Sequence, residues 1–111
     1  MKQYILNENQ VCMQPEVDFQ IGEARTKAYF AITVAERDGK WTTGYEYEYS
    51  HQGGGAKPAF DTKYRRFFDT RKEAVLTQIE DCLTWWHLEK SVRTALKDYR
   101  NSLKFEQLQL F

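Results

Sequence analysis

The first residues of this 111-residue chain to consider for metal ligation, nucleophilic attack or proton transfer are two cysteines, two histidines and sixteen carboxylates. Cys12 and Cys82 stand seventy positions apart, with no C-x-x-C or histidine spacing beside them. Cys82 also falls on an apolar helical stripe, so both read as small core hydrophobes rather than metal ligands or nucleophiles. His51 borders a glycine run and His87 follows Trp85-Trp86, and neither has a serine or cysteine in a nucleophile setting beside it. Glu46/Glu48 and Glu80/Asp81 are carboxylate pairs of the kind a wet face needs for solvation, which gives no general acid. The expectation is no catalytic residue, no metal, no cofactor and no enzyme. Gly53-Gly54-Gly55-Ala56-Lys57 invites comparison with loops that aim successive N–H groups at a phosphate. The Walker spacing is absent and a proline follows, so a flexible connector is the simpler reading, with Lys57 able to touch a nucleic-acid backbone.

Placement of charge says more than its total. Sixteen cations balance sixteen anions, which excludes a strongly basic architectural protein or an acidic tail. The halves nevertheless differ: residues 1–50 hold five cations and eight anions, residues 51–111 eleven and eight. Lys57, Lys63, Arg65, Arg66, Arg71 and Lys72 form one basic group. Lys90, Arg93, Lys97, Arg100 and Lys104 recur every three or four residues, a cationic stripe opposite the apolar stripe of Leu88, Val92, Leu96, Tyr99 and Leu103. Such a stripe is either a solvated face or a set of phosphate contacts. Arg71 and Lys72 apart, these cations are the candidate nucleic-acid-binding residues.

The elements that must position these groups follow from periodicity. Val17 to Ile21 alternates as a short strand. From Lys27, Phe30, Ile32 and Val34 fall on one face and Tyr29, Ala31, Thr33 and Ala35 on the other. Asp38-Gly39 supplies the positive φ of a tight hairpin. Next, Trp41, Thr43, Tyr45, Tyr47 and Tyr49 alternate with Thr42, Gly44, Glu46, Glu48 and Ser50, so the aromatic face is expected in the core and the other face in water. Residues 51 to 58, with three glycines and a proline, are expected to be a mobile loop, followed by a further strand from Thr62 to Phe68. Thr70 and Glu73 make a capping box that starts a helix at Arg71. Two opposed apolar stripes, Val75/Ile79/Cys82/Leu83/Trp86 and Leu88/Val92/Ala95/Leu96/Tyr99/Leu103, require either a turn near His87 to Ser91, with Ser91 as a second N-cap, or one long kinked helix whose second half meets another copy. The fold class is α+β: a three- or four-stranded antiparallel sheet followed by a C-terminal helical region. Residues 1–104 form a single domain and 105–111 a tail. Neither a membrane span nor a secretory apolar stretch is visible, so a reduced, cytoplasmic protein is expected.

Two resemblances add partners to this picture. The order of three strands and a helix, with Phe68-Asp69-Thr70-Arg71-Lys72-Glu73-Ala74 at the last junction, resembles the sheet domains by which tyrosine recombinases bind arm sites on DNA. It covers residues 28 to 86 and implies a sheet facing DNA with Lys63, Arg65 and Arg66 on the backbone. The glycine run and the lack of a catalytic region depart from that family. The last five residues, Gln107-Leu108-Gln109-Leu110-Phe111, resemble the QLxLF peptide with which bacterial polymerases and repair or replication accessory proteins dock on the sliding clamp. That resemblance implies that Gln107 sets register by its amide while Leu108, Leu110 and Phe111 anchor in a groove. The alternative for the tail is that it folds onto the core. Together the expectation is a small accessory protein of bacterial DNA metabolism, with a mobile element as one source, that binds DNA and the clamp. The alternative is a protein-interaction module or inhibitor that forms a homodimer through its C-terminal helix.

Overall fold

A computed structural model describes residues 6–22, 28–49, 52–60, 66–85 and 88–109. Four strands come first: β1 Glu16–Ile21, β2 Ala28–Arg37, β3 Lys40–Tyr49 and β4 Gln52–Ala56. Two helices follow, α1 Arg71–Leu83 and α2 Lys90–Gln109. The strands pair antiparallel in chain order, β1-β2-β3-β4. The α+β class is as expected, and of the two arrangements that the stripes allow the chain takes the one with two helices. The break falls where Arg93 N–H donates to the Glu89 carbonyl at 2.8 Å, which makes Glu89 rather than Ser91 the residue before the first turn.

Each element has a local cause. Asp38 and Gly39 take φ of 55° and 79°, the left-handed pair that a two-residue hairpin demands between Arg37 and Lys40. Thr70 is extended, and its Oγ1 accepts from the Glu73 N–H at 3.1 Å, so α1 starts at Arg71. Phe30, Ile32 and Val34 of β2 are fully buried against Val75, Ile79 and Cys82 of α1 and Val92 and Leu96 of α2. Both helices therefore cover one face of the sheet. The turn between them folds the second apolar stripe back onto the core that the first one serves.

Two expectations are corrected. The glycine run is not a loop: Gly53, Gly54 and Gly55 form the middle of β4, in register with Glu48, Tyr47 and Glu46. Pairing with a long partner strand overrides the poor strand propensity of glycine. Nor is the second sheet face open to water along its length. Ala31, Thr33, Ala35 and Thr42 are buried. A turn held by Asn7 and residues 57–60 lie over one end of that face, pairing as Cys12 N–H to the Pro58 carbonyl at 2.8 Å and Phe60 N–H to the Gln10 carbonyl at 2.8 Å. Cys12, Ala35 and Phe60 make a second small core there. Gly44 permits this cover, since a Cβ would stand 2.7 Å from the Pro58 ring and nearer still to the Ala56 carbonyl oxygen. Of the strand expected from Thr62 to Phe68, residues 61–65 lie outside the described residues; Phe68 pairs with Trp41 in an isolated bridge.

Candidate functional site

The cations of α2 are positioned by the stripe opposite them. Val92 and Leu96 are buried and Leu88, Tyr99 and Leu103 pack beside them, so residues 90, 93, 97, 100 and 104 emerge away from the sheet. They do not form one free row. The Arg93 guanidinium donates to the Leu83 carbonyl at 2.7 Å and the Trp85 carbonyl at 2.5 Å, closing the C-terminal end of α1, where helix carbonyls lack partners and the dipole favours a cation. Glu80 of α1 takes Arg100 at 3.4 Å and lies 3.9 Å from the Lys104 ammonium. Lys90 and Lys97 are exposed and without an ion pair among the described residues. Two of the five are thus fully available to phosphate, and Lys104 nearly so.

The other basic group is divided as well. Lys57 Nζ donates to the Met13 carbonyl at 3.2 Å, tying the cover segment together. Lys63 and Arg65 lie outside the described residues. Arg66 is exposed, its guanidinium 5.3 Å from the centre of the Phe68 ring. Arg71 serves the interior: its Nε donates to Asp18 Oδ1 at 2.8 Å and its Nη1 to Glu16 Oε2 at 3.0 Å. Burial works against that charge, but the hydrogen bond and charge of Asp18, then Glu16, outweigh it and raise the guanidinium above its ordinary value. Tyr99 donates to the other Asp18 oxygen at 2.6 Å and stacks on Phe19 with centroids 4.9 Å apart.

Sequence reasoning missed a cleft of about 300 Å³ between β3 and α1. Tyr45, Phe68 and Trp85 wall it, Gln78 lines it, and Arg66 and Asp81 carry its charges. Trp85 meets Tyr45 edge-on at 4.7 Å and Tyr47 at 5.6 Å. Thr43 donates to Gln78 Oε1 at 2.8 Å, and Gln78 donates to the Cys82 sulfur at 3.4 Å. The signal in the sequence was the use of tyrosine rather than aliphatic residues on the β3 inner face, since a hydroxyl tip has to reach water or a partner. Burial raises the Cys82 thiol to about 11, so it is protonated at neutral pH and no nucleophile. Cys12 is buried too, and neither cysteine is in a disulfide. Among the described residues no three His, Cys, Asp or Glu side chains form a metal-holding group. His51 and His87 lie outside them.

The C-terminal peptide begins on a helix. α2 continues to Gln109, so the backbones of Gln107 and Leu108 are helical and the boundary expected at residue 105 falls inside α2. Leu110 and Phe111 lie outside the described residues, as do the side chains of Gln107 and Leu108. Leu103 is the last described α2 residue packed on the core, and Phe105 is 60% exposed.

Comparison of the chain with protein-family models, curated proteins and solved structures finds no match. Among the described residues no helix is long and apolar enough to cross a membrane.

Proposed function

We propose that the chain is a non-enzymatic accessory protein of bacterial DNA metabolism that docks on the sliding clamp through Gln107, Leu108, Leu110 and Phe111. The observation that supports this reading is that Leu103 is the last described residue of α2 packed on the core, while Phe105, two positions before the QLQLF peptide, is 60% exposed. Docking in extended form requires only the last helical turn to unwind, and helix ends open at the lowest free energy. Lys90, Lys97, Lys104 and Arg66 supply sequence-independent phosphate contacts that hold the clamp-bound protein near DNA. Less supports the alternative of self-association through the Leu88 to Leu103 stripe, because Val92 and Leu96 are buried in the molecule's own core and Leu88, Tyr99 and Leu103 are partly buried beside them.

The test is removal of residues 107–111, followed by titration with a bacterial sliding clamp and by calorimetry. The intact protein should bind the clamp with affinity on the order of micromolar, as short linear peptides do, and the truncated one not at all. Its melting temperature should stay within about 2 °C of the intact value. No clamp binding by the intact protein, or a fall of many degrees on truncation, would overturn the reading.

A further inference from the structure

Among the described residues β4 is the last strand of the sheet, and the direction of its backbone groups can be worked out from β3. Trp41 N–H donates to the Phe68 carbonyl at 2.7 Å and the Trp41 carbonyl accepts from Phe68 at 2.9 Å, so both groups of Trp41 point away from β2. Along a strand every second residue points the same way, which places Tyr45, Tyr47 and Tyr49 as the residues bonded to Ala56, Gly54 and Gln52. Gly53 and Gly55, opposite Glu48 and Glu46, therefore turn their N–H and C=O groups outward. Among the described residues nothing pairs with that edge. All three glycines are exposed, and the run from Gly53 to Gly55 carries none of the lysines, prolines or bulges with which sheet edges are usually blunted.

Side chains from β3 reach across the glycine row instead. A Cβ at Gly53 would stand 3.4 Å from the Glu48 Cγ, and one at Gly55 3.4 Å from the Glu46 Cγ. One at Gly54 would lie 3.0 to 3.3 Å from the Tyr47 ring and hydroxyl, on the other face. An incoming strand thus meets Glu48, Tyr47 and Glu46 in turn, carboxylates on one face and a ring on the other. We infer that the Gly53–Gly55 edge of β4 is a strand-addition site for an extended segment carrying Lys or Arg at alternate positions and apolar side chains between them. Main-chain bonds to Gly53 and Gly55 provide the docking, and the two carboxylates select the basic face. A second copy adding its own β4 would set glutamates against glutamates, so charge disfavours that occupant.

The experiment titrates the full chain with a short end-capped peptide alternating lysine and valine, and with its glutamate-valine counterpart, and reads amide hydrogen exchange residue by residue. The lysine peptide should slow exchange at Gly53 and Gly55 by about tenfold or more, leave Gly54, already bonded to β3, unchanged, and have no counterpart effect from the glutamate peptide. Glu46→Gln with Glu48→Gln should weaken lysine-peptide binding by about tenfold, the joint worth of two opposite-charge pairs across a sheet. The amide oxygen at position 46 still accepts the Tyr29 hydroxyl, which lies 3.0 Å from the native carboxylate, so the fold is retained and circular dichroism checks it. Equal slowing by both peptides, no slowing at Gly53 and Gly55, undiminished binding by the double variant, or peptide-free protection that grows with protein concentration would each overturn the assignment.

Discussion

Asp18 owes its burial to one extra residue in β1. The register shifts between Val17 and Phe19, so Val17 is left 52% exposed while the Asp18 side chain, 7% exposed, joins Arg71 and Tyr99 beneath the helices. Strict alternation would have put Asp18 with Gln20 on the far face, which is why the sequence alone did not single it out. Asp18→Asn removes a charged acceptor shared by two elements and should cost about 1.5–3 kcal/mol in urea unfolding; Tyr99→Phe, which removes one donor, should cost about 1 kcal/mol. Cys82, by contrast, was legible: an apolar stripe position gave a buried thiol. Its raised value makes stability sensitive to base. Well below pH 9 the thiol is neutral folded and unfolded; between about 9 and 11 it ionises chiefly when unfolded, and up to about 3 kcal/mol is lost. Tyr29, raised to about 12 by burial and then by its hydrogen bond to Glu46, adds a second loss between pH 10 and 12. Urea midpoints at pH 8 and pH 10.5 should therefore differ, and Cys82→Ala should shrink the difference.

Among the elements, those set by local rules could be read directly and those set by partners could not. The Asp38-Gly39 turn, the Thr70 cap and the inner face of β2 all stand where the residue pattern puts them. β4 did not, because its stability comes from the bonds offered by Tyr45, Tyr47 and Tyr49 rather than from its own glycines. Nor did the role of Arg93, since helical spacing groups it with Lys90 and Lys97 and cannot show that the α1 carbonyls lie within its reach. The two kinds of cation separate by substitution. Arg93→Met should lower stability by about 1–2 kcal/mol through loss of charge-assisted bonds at a helix end, whereas Lys97→Met should stay within about 0.5 kcal/mol and instead weaken and flatten the salt dependence of any nucleic-acid binding. Gly44→Ala should destabilise by at least about 2 kcal/mol, because its methyl group overlaps backbone that cannot retreat without lifting Pro58 from the sheet.

At the scale of the molecule, helices cover one sheet face and a small irregular cover closes part of the other, in a body 41 by 36 by 22 Å. The helical side is one of the two arrangements that the opposed stripes allow, the other being a second stripe that meets another copy. The cover was not foreseeable, since residues 6–12 and 57–60 carry no periodicity and find each other only across the sheet. Leu96, fully buried between the sheet and α1, tests whether α2 belongs to this core. Leu96→Asp buries an unpaired charge and should leave the protein unfolded by circular dichroism at room temperature, not a folded protein of altered assembly.

The bond from Tyr99 to Asp18 joins residues 81 positions apart, while the β2–β3 ladder closes across two. Loop closure makes the hairpin the early event and the β1–α2 contact a late one, so folding should begin in the middle of the chain and finish at its flanks. A chain still emerging from the ribosome has made β1 long before the residue that holds its aspartate exists. Until α2 arrives, Phe30 and Ile32 lack half their cover, and nascent protein stalled short of residue 92 is the form in which this sequence most needs a chaperone.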